Sequence, residues 1–366
     1  MAIGGAGLRT LLVLRRVTAT SVRMVQVQEE AALSRSRPTI TDVADRAGVS
    51  RTTVSRVMNN EPGAAPSVRE RVQQAMAELG YVPDQTARAL ASGRQRAVDV
   101  VAVTDGPVIG WLGSHPYYSR VLAGVTSALE GTDVQVRIQA ITQPDDLEAV
   151  DAIAARASVG LVLTDVPAAM TLRFQQQCRR LVSLAATSPS VTSIDADNSG
   201  GAYAAVEYLY GLGRRRIAEI YGPASSSDAR DRRAGYQRAV LQLGLTAFSD
   251  GGGFRREDGY DAALRLMDKH PEIDAMFVSC DLMAAGAVQA LTATGRRVPE
   301  DVSLVGFDDS IAALCANPPL TTMRMPVEEM AATAAGLLLA GNVPPSYHRC
   351  FPVELVPRAS AARRGA

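Results

Sequence analysis

Apolar and polar positions change rhythm twice along this chain. Over residues 39–80 they recur at helical spacing in three short stretches. Val43, Ala44 and Ala47 share one side of a first helix, which Thr41 is expected to cap and Gly48 to end in a tight turn. Ser50 is expected to cap a second helix, with Val54, Val57 and Met58 on its buried face. After the loop 59–63, Ser67 and Glu70 have capping-box spacing, and Val68, Val72, Met76 and Leu79 supply the buried side of a third helix that stops at Gly80. Three such faces suffice for one miniature core. Pro83 then breaks the chain, Asp84 can cap a short helix over 85–91, and residues 92–96 read as linker.

Beyond Ala97 the rhythm becomes an alternation of apolar runs with amphipathic stretches. Residues 98–103, 134–141, 159–164, 191–194, 217–221, 275–279 and 302–307 read as buried strands. Helical stretches lie between them at 118–129, 146–156, 201–212, 230–243, 258–268 and 282–294. Strand–helix repetition predicts parallel sheet covered on both faces, and some 260 residues exceed one comfortable core, which favours two α/β lobes.

Composition narrows this picture. The chain has 366 residues, 47% apolar and 21% charged, as in folded globular domains. Its 38 basic and 38 acidic residues cancel, which excludes a polybasic nucleic-acid coat. The cancellation hides an asymmetry: residues 1–97 hold 14 arginines against 8 acidic residues, and residues 98–366 hold 24 basic against 30 acidic. Within the reader proper, 38–96, the surplus shrinks to 8 arginines against 6 acidic residues. Four scattered cysteines and three histidines offer no metal-ligand spacing, and a reducing, cytoplasmic setting is expected. No apolar run approaches a membrane span, and the run at residues 11–14 is too short for a signal-peptide core. Residues 1–37 read as a disordered or mis-assigned extension.

The second helix carries the first chemistry. Arg51, Thr52, Ser55, Arg56 and Asn59 form one stripe opposite Val54, Val57 and Met58. Forked donors and short hydroxyls suit the major groove, where Arg pairs with guanine, Asn with adenine and Thr with a thymine methyl. The same stripe would suit the solvated face of an ordinary bundle. The turn at Gly48 and the short helix downstream favour a helix-turn-helix.

At this point a resemblance becomes specific. The run TITDVADRAGVSRTTVSRVMN (39–59), then ELGYVP (78–83) and ARAL (87–90), resembles the N-terminal signature of the lactose-repressor/galactose-repressor family of bacterial transcription regulators. The likeness continues to about Ser360. It implies an N-terminal three-helix helix-turn-helix domain (38–83), a hinge helix and linker (84–97), and a two-lobed α/β periplasmic-binding-protein-like effector domain with parallel sheets (98–360), before a tail at 361–366. Major-groove contacts would fall to Ser50, Arg51, Thr52, Thr53, Ser55, Arg56 and Asn59. In the hinge, Ala87, Arg88 and Leu90 would face the minor groove, with Leu90 as an apolar wedge that partly unstacks a base step. Asp84 replaces the family's usual Asn and suits capping better than phosphate contact.

For the effector, the resemblance points to Arg232 and Asp308 as hydrogen-bonding partners, Phe254 as a stacking ring, Tyr117 and Tyr118 at the opposite lip, and Cys280-Asp281 before a helix. A structural ion pair is the plainer alternative for Arg232 and Asp308, and core packing for each tyrosine. Cys280 stands where the family has Asn, and Met325 where Gln is common. Gly213-Arg214 replaces Gly-His, and the loop 104–115, with Trp111, is longer than usual. Two lost amides and an indole nearby suggest an effector less hydroxylated than a plain hexose, or no small effector at all.

Asp308 and Asp309 are adjacent, so on a strand they face opposite ways and cannot share a substrate. No nucleophile elbow, phosphate loop or dinucleotide fingerprint follows a strand, so neither an enzyme nor a cofactor is expected. The expectation is a transcriptional repressor, a homodimer on a pseudo-palindromic operator, answering to a small effector, possible sugars included, with no membrane partner. The alternative is a solute-binding or sensory protein of the same lobed fold without DNA function; it predicts a signal peptide and no helix-turn-helix.

Overall fold

A computed structural model describes residues 38–58, 65–81, 95–103, 115–143 and 145–363. The chain divides into two compact units, the first ending at Asp84 and the second beginning at Gln85.

In the first unit, α1 (Ile40–Ala47), α2 (Arg51–Met58) and α3 (Pro66–Leu79) enclose a small core of Val43, Ala44, Ala47, Val54, Val57, Val72 and Ala75. Two caps differ from expectation. Thr39, not Thr41, caps α1: its hydroxyl accepts from the Asp42 amide at 3.3 Å, and Asp42 accepts from the Thr39 amide at 2.6 Å. A carboxylate at the third helical position makes that reciprocal pair, and Thr41 has none within reach of its own first turn. At α3, Pro66 takes the first helical position and Ala65 the cap, so Ser67 lies inside the helix and forms no capping box. Gly48 and Gly80 end their helices with φ of 66° and 60°, the left-handed region where a side chain would be strained.

The second unit holds two six-stranded sheets. The first contains β1 (Ala97–Val103), β2 (Gln135–Ile141), β3 (Gly160–Thr164), β4 (Leu181–Ser183) and β5 (Ser193–Ala196), flanked by α4 (Pro116–Leu129), α5 (Leu147–Arg156) and α6 (Ala168–Gln177). The second contains β6 (Ile217–Tyr221), β7 (Phe248–Gly251), β8 (Ala275–Val278), β9 (Ser303–Asp308) and β10 (Thr321–Arg324). Its helices are α7 (Asn198–Gly211), α8 (Ser227–Gln242), α9 (Arg256–Lys269), α10 (Asp281–Ala293) and α11 (Ile311–Cys315). The chain then returns through α12 (Val327–Leu339) to β11 (His348–Phe351) in the first sheet and crosses again to β12 (Glu354–Val356) in the second.

The strand orders are β2-β1-β3-β4-β5-β11 and β7-β6-β8-β9-β10-β12, parallel throughout except for β12 against β10. Each sheet therefore reverses direction at its second strand, and the crevice beyond the carboxyl ends of β1/β3 and β6/β8 is where such sheets receive ligands. The lobes are joined at three places, around Asp197, Met325-Pro326 and Pro352-Val353. Two joints touch: the Asp197 amide donates to the Phe351 carbonyl at 2.9 Å. The fifth strand begins at Ser193, two residues later than its apolar run suggests, because it pairs with β11 from Ser193 onward.

Candidate functional sites: the reader helix and the interlobe cleft

In α2 the buried side is Val54 and Val57, with Met58 packed beside them. Arg51, Thr52 and Arg56 are exposed on the other side, and Thr53 and Ser55 are half-buried. Ser50 caps the helix: its hydroxyl accepts from the Thr53 amide at 3.1 Å and lies 2.8 Å from the Thr53 hydroxyl. Those two hydroxyls stand at the amino end of the helix, where exposed amides and the helix dipole favour phosphate oxygens. Arg46 and Glu78, paired at 2.6 Å, tie α1 to α3. The exposed side of the helix therefore presents Arg51, Thr52 and Arg56. Asn59 and the hinge positions Ala87, Arg88 and Leu90 lie outside the described residues.

The cleft between the lobes of the second unit narrows to a cavity of about 20 Å³, room for about one water molecule. The first lobe supplies His115, Tyr117 and Asp165, and the second supplies Ser226, Asp228, Arg232, Phe254, Cys280 and Asp308. His115 caps α4, its Nδ1 accepting from the Tyr117 amide at 3.3 Å, and its ring packs edge-on against Tyr117, Tyr118 and Phe254. Burial holds His115 below the usual imidazole range, so it is neutral at pH 7. Asp165 follows β3 with φ of 51°, and the Tyr118 hydroxyl donates to its Oδ2 at 2.7 Å. From the other lobe the Ser226 hydroxyl donates to Asp165 Oδ1 at 3.5 Å.

Arg232 projects from α8 and is 3% exposed. Nε donates to Asn198 Oδ1 at 2.7 Å, Nη1 to the Ser279 carbonyl at 2.5 Å and to Asp308 Oδ1 at 3.4 Å, and Nη2 to the Met325 sulfur at 3.7 Å. Its guanidinium also stacks over the Phe307 ring at 3.9 Å. Asp308 ends β9 with φ of 113° and is 6% exposed. Burial pushes its carboxyl upward, opposed chiefly by Arg232. The two residues do form an ion pair, and it is buried on the cleft wall and not on the lobe surface.

Phe254 reaches the cleft because Gly222, at the end of β6, has no side chain: a β-carbon there would lie 2.4 Å from the ring. Cys280 lines the wall while its sulfur accepts from the Met283 amide at 3.5 Å and caps α10. Asp281 and Tyr118 are not part of the lining. Asp281 is fully buried and accepts from the Thr322 hydroxyl at 2.5 Å and the Ser310 amide at 2.7 Å, tying α10 to β10 and α11. Burial pushes its carboxyl up to about 8.

Four cleft groups were not singled out from sequence. His115, Asp165, Ser226 and Asp228 lie on loops or helix starts, where a lone polar residue carries no periodic signal. Their common position beyond strand ends is the one clue the sequence offers. Arg120 was also missed. It donates from α4 to both oxygens of Glu328 at 2.7 Å, to the Asp308 carbonyl at 2.7 Å and to the Met325 carbonyl at 2.9 Å, and so joins the first lobe to the strained end of β9. Among the described residues no cluster of His, Cys, Asp and Glu could hold a metal ion, and no helix is long and apolar enough to cross a membrane.

Comparison with known proteins agrees with both halves. Residues 39–84 match the model for bacterial regulatory proteins of the lacI family, and residues 206–361 match a periplasmic binding protein-like domain. The HTH-type transcriptional regulator CelR of Thermobifida fusca is 35% identical over 320 residues, covering 83% of this chain and 92% of that protein. The lactose operon repressor of Escherichia coli K12 is 30% identical over 331 residues, covering 87% and 89%. Among solved structures, a CelR–cellobiose complex superposes with a TM-score of 0.67 at 32% identity over 88% of this chain and all of that one. A lac repressor dimer bound to operator and the anti-inducer ONPF superposes with a TM-score of 0.65 at 30% identity, over 89% and 99%. With a helix-turn-helix reader followed by a two-lobed body, and with relatives of this similarity along most of its length, the chain belongs to the lacI family of bacterial regulatory proteins and is a DNA-binding transcriptional regulator, not an enzyme.

Proposed function

We propose that this regulator is a cytoplasmic repressor that binds a pseudo-palindromic operator as a homodimer and releases or tightens its grip when a carbohydrate-class effector fills the interlobe cleft. The observation that carries this reading is the buried Arg232–Asp308 pair, a forked donor and a two-oxygen acceptor on the wall of a cleft between lobes joined by three short connections. A ligand held there touches both lobes, so it binds open and closed arrangements unequally, and only such a difference shifts a conformational equilibrium. Solved relatives bound to cellobiose, or to operator as a dimer, support the ligand class and the assembly.

On this reading Ser50, Arg51, Thr52, Thr53, Ser55, Arg56 and Asn59 contact the major groove, and Ala87, Arg88 and Leu90 the minor groove. Cleft contacts come from Tyr117, Arg232, Phe254, Cys280 and Asp308, with Tyr118 and Asp281 holding Asp165 and the α10–β10 junction in place. The Met325 sulfur, which accepts from Arg232, stands where an amide would grip hydroxyls. That favours an effector less hydroxylated than a plain hexose, and micromolar calorimetric binding of an ordinary monosaccharide would count against it. Genomic footprinting supplies the operator; anisotropy titration of that fragment with a panel of sugars tests the coupling. At least one sugar should change operator affinity about 5- to 150-fold, and Arg232→Ala should remove the response. Sugars that bind the cleft and leave operator affinity unchanged overturn the proposal.

A further inference from the structure

The charges around the cleft do not balance. Asp165, Asp228 and Asp308 face it with Arg232 as the opposing cation, and burial keeps His115 neutral. Most donors on its wall are already engaged; the Tyr117 hydroxyl accepts from Thr164 at 3.2 Å and keeps its own proton to give. Arg232 is spent on Asn198, Ser279, Asp308 and Met325. The Tyr118 hydroxyl is spent on Asp165, and the Ser226 hydroxyl caps Ala229 and leans on the same carboxylate. Beyond that one hydroxyl, what remains open is acceptor capacity. Asp308, 6% exposed, has one long bond to Arg232 for its side chain. Asp228, in the first turn of α8, has no hydrogen bond or ion pair among the described residues, although it stands on the cavity wall. Its carboxyl is pushed up to about 7 by burial, with Arg232 opposing the rise and Asp165 adding to it.

From this we infer that the effector of the cleft carries a protonated amine, as an amino sugar does, and that Asp228 receives it. The inference rests on the reading of the cleft as the effector site. An ammonium group brings three donors and a compensating charge to a wall that offers acceptors. It also suits the rings of Phe254 and Tyr117, whose faces attract cations. A hydroxyl brings one donor and no charge. A carboxylate or phosphate on the ligand would meet three carboxylates in a low-dielectric space, where like charges repel strongly. Acidic sugars and phosphorylated ligands are thereby disfavoured.

The test is calorimetry on the full-length protein at pH 7 with glucosamine, glucose and glucuronate, which share a ring and differ in one group, and with the glucosamine dimer against cellobiose. The amine should bind at least about tenfold tighter than its neutral counterpart in one of the two pairs, as expected for a charge-assisted contact, and glucuronate should not bind. Asp228→Asn, checked for folding by its operator affinity, should bring the ratio to within about twofold. The inference is overturned if no amine binds, if a neutral or acidic member binds as well or better, or if Asp228→Asn keeps the preference. A neutral sugar that binds and alters operator affinity would sink this inference and leave the cleft reading standing. An amine that binds with no effect on operator affinity would overturn the effector-site reading and this inference with it.

Discussion

Replacing Arg232 with Met tests whether the cleft wall is the buried electrostatic site described above. Methionine has similar reach and no charge, so the substitution leaves Asp308, Asn198 and the Ser279 carbonyl without their donor. Two unit charges 3.4 Å apart attract by about 5 kcal/mol at an effective dielectric constant of about 20. Much of that offsets desolvation of the two ions, but removing one partner alone leaves the penalty behind, and such losses run at about 3–5 kcal/mol. The loss should depend on pH. Without Arg232, burial raises the Asp308 carboxyl further above its unfolded value, opposed by Arg120 and, when protonated, His115, and reinforced by Asp165. A group raised on folding is destabilising above its unfolded pKa, increasingly so until pH passes the folded one. The deficit should therefore be largest near pH 8 and shrink toward pH 5. Urea denaturation of wild type, Arg232→Met, Asp308→Asn and the double variant, followed by fluorescence of the single tryptophan, Trp111, measures this. A deficit under about 1 kcal/mol that ignores pH would be the signature of a solvated surface pair and would refute the reasoning.

Three further outcomes are expected. Arg56→Ala should cost about 1–3 kcal/mol on operator and less on random DNA if the side chain reads a base; equal losses would make it a phosphate contact. Leu90→Gly should abolish operator bending in a permuted-fragment gel assay and leave effector affinity unchanged, whereas intact bending would remove the wedge from the account. Glu219, fully buried on β6 and pushed up to about 8 by burial, should weaken the fold as pH rises from about 4.5 to 8. Glu219→Gln should lift that penalty, by up to about 1.4 kcal/mol per pH unit, so melting curves of the two proteins should converge near pH 4.5 and separate at pH 8.

The parts of this fold that were legible in sequence are those where one residue type has one job. Val54 and Val57 at helical spacing, Gly48 at a left-handed turn and the apolar runs of β1, β3, β6, β8 and β9 needed no tertiary context. The caps of α1 and α3 depended on single-residue offsets: Asp42 selects Thr39 over Thr41, and Pro66 starts α3 one residue before Ser67. The strands β4, β7, β10, β11 and β12 are three or four residues long, and several are polar, as in Ser249-Asp250 or Thr321-Thr322. Their pairing comes from the neighbouring strand and not from their own pattern. The cleft was half legible. Arg232, Asp308 and Phe254 stood in recognisable motifs, whereas Asp165, Asp228 and His115 acquire meaning only when two lobes close around one space. Arg214 shows the same limit: it replaces a histidine in the motif, and it is 1% exposed and donates to the carbonyls of Asp274, Pro299, Glu300 and Ala362, pinning the far end of the second lobe.

The helix α2 is expected to read a defined DNA sequence under the control of the interlobe cleft. The most direct measurement is a footprint of the full-length protein on genomic fragments, repeated with Arg56→Ala and with a saturating cleft ligand. The expected result is protection of a discrete, twofold-symmetric site that Arg56→Ala weakens and the ligand shifts. Protection spread evenly along the fragments, unchanged by either, would contradict it.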